Sequence, residues 1–154
     1  EVPRMPHTGN FPPVAYPKPL AIPPSGFVAE QDTYDWKIDG AHLGNRAALA
    51  SQVFRSPVLL PQGVTVKRLT LYGYVTSVST TLTLFLVRND RAGNESSMAL
   101  VSANWATGYS SIYTESINNP KIDNDNYDYS LRVVIFPDVV VTDCRFTGSE
   151  IEWK

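Results

Sequence analysis

Cysteine, histidine and charge are all scarce in this chain, and each shortage excludes something. Cys144 is the single cysteine of 154 residues, so no intrachain disulfide can staple the fold. A zinc site lacks its materials as well, because His7 and His42 lie in unrelated segments and neither keeps ligand spacing with Cys144. Charged residues make up 18% of the chain and the formal net charge is −2. Without an excess of Lys and Arg to neutralise phosphates, nucleic acid is not an expected partner. No apolar run is long enough to span a bilayer. No serine sits in a G-x-S-x-G elbow, and no nucleophile, base and orienting group can be assembled from the pattern, so the chain is not expected to be an enzyme. Nothing asks for a cofactor.

Threonine, serine, asparagine and tyrosine carry the polarity in place of charge, which suits a β-rich surface. The segment 69–87, LTLYGYVTSVSTTLTLFLV, shows why. Leu82, Leu84 and Leu86 alternate with Thr81, Thr83, Phe85 and Val87, the period of a half-buried strand. Leu69, Leu71, Gly73 and Val75 share one side of the preceding stretch, with Thr70, Tyr72 and Tyr74 on the other. With the short polar segment 76–80 between them, the two stretches read as an antiparallel hairpin. Val64 and Val66 are out of phase with Leu69 and Leu71, which predicts a bulge near Lys67 and Arg68. The run NYDYSLRVVIF puts Tyr127, Tyr129, Leu131, Val133 and Ile135 on one face, and Cys144 falls in the apolar phase of VVVTDCRF. Eight or nine short strands with turn signals between them and no helix predict an all-β fold, an antiparallel β-sandwich of jelly-roll or Greek-key type over residues 27–154.

Residues 1–26 differ, holding eight of the twelve prolines. Proline removes amide donors and fixes φ, so this segment is expected to be an extended arm that docks by side-chain burial more than by backbone pairing. Phe11, Val14, Tyr16, Leu20 and Ile22 make it too apolar for a solubilising tail. They are the candidate assembly residues, docking on the arm's own domain or on another copy of the chain.

Several short words along the chain form a pattern: LPQGVTV from Leu60, LYGY from Leu71, IDN from Ile122 with Tyr127 and YSL from Tyr129, and Gly148 ahead of Ile151 and Trp153. Over residues 53–153 this pattern resembles a class of uncharacterised secreted prokaryotic β-sandwich domains. The resemblance implies an exported sandwich and carries no activity or site residues. A first residue that is Glu and not Met fits removal of a signal peptide or trimming of the chain, and a secreted or cell-surface location is the expectation. The sequon at Asn94 is compatible with a surface loop.

Two sets of side chains are candidates for binding. Trp105, Tyr109 and Tyr113 sit in or beside one loop, where rings could stack on sugars or cover an interface. Asp123, Asp125 and Asp128 could ligate calcium or simply build a turn; the EF-hand glycine and glutamate are missing. The leading expectation for function is a non-catalytic extracellular protein that associates with copies of itself. The alternative is a carbohydrate-binding module using Trp105 and Tyr109. A hydrolase would require two acidic side chains facing each other across a cleft.

Overall fold

The computed structural model describes residues 19–31, 36–39, 42–45, 51–75, 81–105, 108–136 and 144–154. Eleven strands are present among them: β1 (Leu20–Ile22), β2 (Val28–Ala29), β3 (Trp36–Asp39), β4 (His42–Asn45), β5 (Gln52–Val58), β6 (Val66–Val75), β7 (Thr81–Asp90), β8 (Glu95–Ser102), β9 (Gly108–Thr114), β10 (Tyr127–Phe136) and β11 (Arg145–Trp153). They form two antiparallel sheets, ordered β3-β4-β11-β6-β9 and β2-β5-β10-β7-β8, with β1 added to β11. From β4 onward every step along the chain passes from one sheet to the other, except the β7–β8 hairpin. The eight strands β4 to β11, four from each sheet and connected in that way, form a jelly roll.

The inward faces are those that the alternation marks. Leu82, Leu84, Leu86, Leu131, Val133 and Ile135 from one sheet meet Leu69, Leu71, Val75, Phe146 and Ile151 from the other, all essentially without solvent exposure. Each such side chain contributes roughly 1.5–3 kcal/mol by leaving water. Phe27 closes one side of this core, its ring edge-on to Phe146 with centroids 4.8 Å apart. Cys144 is buried beside them.

The predicted bulge is present. Glu152 pairs with Arg68 and Trp153 with Val66, so Lys67 is the extra residue, and both apolar sets of β6 face inward. A second register shift follows Phe146, where Thr147 is extra on β11.

The predicted hairpin between residues 69–75 and 81–87 is not formed. β6 and β7 belong to different sheets. Alternation tells which side chains are buried and is silent on which strand lies alongside. The two leucine faces therefore meet across the sandwich, and Leu82 Cδ2 lies only 2.4 Å from where a Cβ on Gly73 would stand.

The arm reading also needs correction where it can be examined. Leu20, Ala21 and Ile22 pair by backbone with Ile151, Glu150 and Ser149 of the same chain, and Ile22 enters the core. The sandwich thus takes in residues ahead of Phe27. Pro19 and Pro23 flank these three residues without interrupting them, so their amides are available for a short ladder. Phe11, Val14 and Tyr16 lie outside the described residues.

Candidate functional site

The outer face of the β11-β6-β9 sheet carries four of the six tyrosines among the described residues. Residues pointing away from the core line up across the strands in rows fixed by the register. Arg145, Tyr74 and Tyr109 form one row, Gly148, Tyr72 and Ser111 the next, and Glu150, Thr70 and Tyr113 the third; Glu152 and Arg68 extend the face, with Glu115 beside them. The sequence folds this way because LYGY on β6 and YSSIY on β9 place tyrosine in the phase opposite to the buried residues.

Neighbouring groups brace these rings. Tyr109 and Tyr74 lie with ring centroids 4.6 Å apart, tilted by 53°, and the Arg145 guanidinium is 5.4 Å from the Tyr74 ring centroid. Arg68 sits 4.4 Å from the ring centroid of Tyr113 while donating to Glu115 at 2.6 Å and to Glu152 at 3.3 Å. The hydroxyl of Tyr72 donates to Glu150 Oε2 at 2.9 Å. Burial and then that carboxylate push the Tyr72 phenol above its usual range, so it remains a donor at any physiological pH. Tyr109 and Tyr113 are nonetheless 62% and 57% exposed, unusual for large rings held in fixed positions. Four residues apart on one strand, they are separated by about 13 Å.

The middle row is low at both ends, where Ser111 and Gly148 flank Tyr72. Beyond Gly148 the face opens into a hollow of about 420 Å³ bounded by Ala21, Pro23, Tyr72, Gly148 and Glu150. Gly148 has φ +150°, and a Cβ there would face the Ile22 carbonyl oxygen. The arrangement offers apolar ring faces, a phenol and carboxylates along an open surface.

The three aromatic candidates therefore separate. Tyr109 and Tyr113 are strand residues on this face. Trp105 is half-buried, packed against the core, with its indole N–H donating to the Gly108 carbonyl at 3.1 Å. Tyr72, Tyr74, Arg68 and Glu150 were not among the candidates. The signal for the two tyrosines was in the alternation of β6, whose polar phase they occupy; the pairing that brings Glu150 and Tyr109 to them is a long-range fact that no local pattern records.

A second concave region lies at one end of the sandwich, formed by the loop that precedes β10 and by the β7–β8 hairpin. It is a cleft of about 560 Å³ whose wall includes Gln62, Arg88, Lys121, Asp123, Asn126 and Tyr127. Two of the three calcium candidates are in this loop, and their oxygens serve it. Asp123 accepts from the Asp125 amide at 3.2 Å and from the Asn126 side chain at 2.8 Å. The Asp123 amide in turn donates to the Tyr129 hydroxyl at 2.8 Å. Asp128 lies on β10 opposite Asn89. Among the described residues no three His, Cys, Asp or Glu side chains are grouped to hold a metal ion. The hydrogen bonds of Asp123 are those of a turn, while Asp128 belongs to a strand. His42 is described only in its backbone, paired with Asp39.

No protein-family model matches the sequence, and no curated protein matches it. Solved structures of similar fold do exist. A family two carbohydrate esterase from Cellvibrio japonicus superposes with a TM-score of 0.51 at 9% identity, covering 88% of this chain and 34% of the esterase. The chain thus spans about a third of that protein's length. A low-affinity xylan-binding module, CBM86, from the gut symbiont Roseburia intestinalis superposes with a TM-score of 0.51 at 9% identity, covering 88% of this chain and 96% of the module. At this identity the likeness is one of fold: this chain is a β-sandwich of the kind found in bacterial carbohydrate-binding and esterase proteins.

Proposed function

We propose that this chain is a non-catalytic, exported saccharide-binding module that holds a polysaccharide against the outer face of β6 and β9. The observation that carries the reading is the pair of exposed, braced rings of Tyr109 and Tyr113, with Tyr74 against the first and Arg68 against the second. Sugar rings present apolar C–H faces that stack on such aromatics, while their hydroxyls seek groups like the Tyr72–Glu150 pair beside them. A module that binds xylan shares the fold over nearly its whole length, which supports the reading without identifying the ligand. Self-association, the leading expectation from sequence, drew in part on the apolar arm; the described end of that arm, Leu20 to Ile22, pairs with β11 of its own chain.

Affinity electrophoresis and calorimetry on soluble xylan, mixed-linkage glucan and mannan test the reading. Retention by at least one polysaccharide is expected, weakened about tenfold in Tyr109→Ala, since a stacked ring contributes roughly 0.5–1.5 kcal/mol beyond its buried area. A wild-type chain retained by none of a broad set of polysaccharides, or a Tyr109→Ala variant that binds as well as wild type, rejects it.

A further inference from the structure

A sandwich has open sheet edges, and unpaired backbone at an edge is a template for another strand. The two sheets here end at β3 and β9 and at β2 and β8. Three of these four edges are blunted. β2 is two residues long, and β3 has four residues of which Lys37 and Asp39 are charged. Along β8 the Met98 carbonyl already accepts from the Asn118 amide at 2.7 Å.

β9 has none of these protections. Its seven residues, GYSSIYT, contain no charge and no proline, and its pairing with β6 runs from Thr114 to Gly108 without a bulge. Among the described residues no strand lies on its other side. Tyr109, Ser110, Ser111 and Tyr113 are exposed, and Ile112 is only partly buried against the core. Natural sheets rarely leave a regular, uncharged edge of this length bare, which favours a strand brought by a partner.

The residues of β9 select the partner. Two identical antiparallel strands meet about a two-fold axis, which sets residues equally distant from that axis opposite one another. Tyr109, Ser111 and Tyr113 are the outward residues, and they read the same in both directions. An axis at Ser111 therefore places Tyr109 of each copy against Tyr113 of the other, with serine on serine between them and Ser110 opposite Ile112 on the inner side. Aromatic cross-strand pairs are favourable, and no like charges meet. The rows of the outer face also join, since the row that ends at Tyr109 in one copy continues into the row of Tyr113 and Thr70 in the other.

We infer that β9 pairs with β9 of a second copy, in antiparallel register about Ser111, giving a two-fold dimer in which the two tyrosine faces form one continuous sheet surface. The pairing requires only the strand edge, so it holds or fails independently of saccharide binding.

Sedimentation equilibrium of the full chain over a range of concentrations is the test. Wild type is expected to show an equilibrium between monomer and dimer. Ser111→Lys sets two ammonium groups opposite each other on the axis and is expected to weaken the dimer about fivefold or more, as is Ser111→Glu, while the uncharged Ser111→Thr keeps it. Mixing Ser111→Lys with Ser111→Glu is expected to restore a dimer of one chain of each, because a two-fold at this residue brings it against its own copy. Circular dichroism is expected to show the same sheet content in every variant, since Ser111 is exposed. A wild type that stays monomeric at every concentration, a Ser111→Lys chain that dimerises as tightly as wild type, or charged variants that do not associate when mixed each overturns the inference.

Discussion

Gly73 has no room for a methyl group: a Cβ there would come within 2.4 Å of Leu82 Cδ2 and 3.1 Å of the Arg145 carbonyl oxygen. A backbone oxygen cannot yield as a flexible side chain can, so Gly73→Ala is expected to cost about 1–3 kcal/mol, read as a lower urea midpoint with an unchanged slope. Charge acts at the same scale in the β7–β8 turn. The Asn94 side chain, followed by the backbone amides, holds the Asp90 carboxyl below its usual range. A carboxylate with a depressed folded-state value stabilises the fold above the unfolded value of about 3.9, and that contribution is lost as pH falls through the folded one. The wild-type urea midpoint is therefore expected to drop more between pH 5 and pH 2 than that of Asp90→Asn; parallel curves would show that the turn does not need the charge. Single residues were the best-read part of the sequence. The phase break that announces Lys67 as a bulge and the apolar phase of Cys144 are both local, and locality is what a sequence displays.

Strands were legible as strands, while their neighbours were not. Tyr129, Leu131, Val133 and Ile135 fall inward on β10 as their alternation requires, yet the same alternation in residues 69–87 suggested a hairpin where the chain crosses between sheets. A five-residue polar link permits either connection, and only the burial of both leucine faces against each other decides it. The candidate site divides along the same line. Tyr109 and Tyr113 could be named from sequence, but their brace of Tyr74 and Arg68 exists only because β9 pairs with β6. β1 shows the converse error, in which proline content overrode three residues able to pair. Its weight in the fold can be measured through Ile22, buried against the core: Ile22→Ala is expected to cost about 2–4 kcal/mol of unfolding free energy, whereas a dispensable arm would lose almost nothing.

At the scale of the whole molecule the two sheets present different outer surfaces. The face of β6, β9 and β11 is tyrosine-rich, and its ion pairs hold Arg68 beneath Tyr113. The other sheet is crossed by an ion-pair network in which Glu95 joins Arg55 and Arg132, the latter 4.6 Å from the Phe85 ring centroid. Glu95, Arg55 and Arg132 are matched to one another there, which leaves less of that patch for a ligand to engage than on the tyrosine face. Trp105, half-buried and tied to Gly108, belongs to the support of the first face, so Trp105→Ala is expected to lower the melting temperature before it affects any ligand. The central claim is that saccharide lies across the tyrosine rows, and amide and aromatic NMR shifts followed during titration with a retained polysaccharide fragment test it most directly. The account predicts changes concentrated at Tyr72, Tyr74, Tyr109, Ser111 and Tyr113; changes confined to the face carrying Arg55, Phe85 and Arg132 would contradict it.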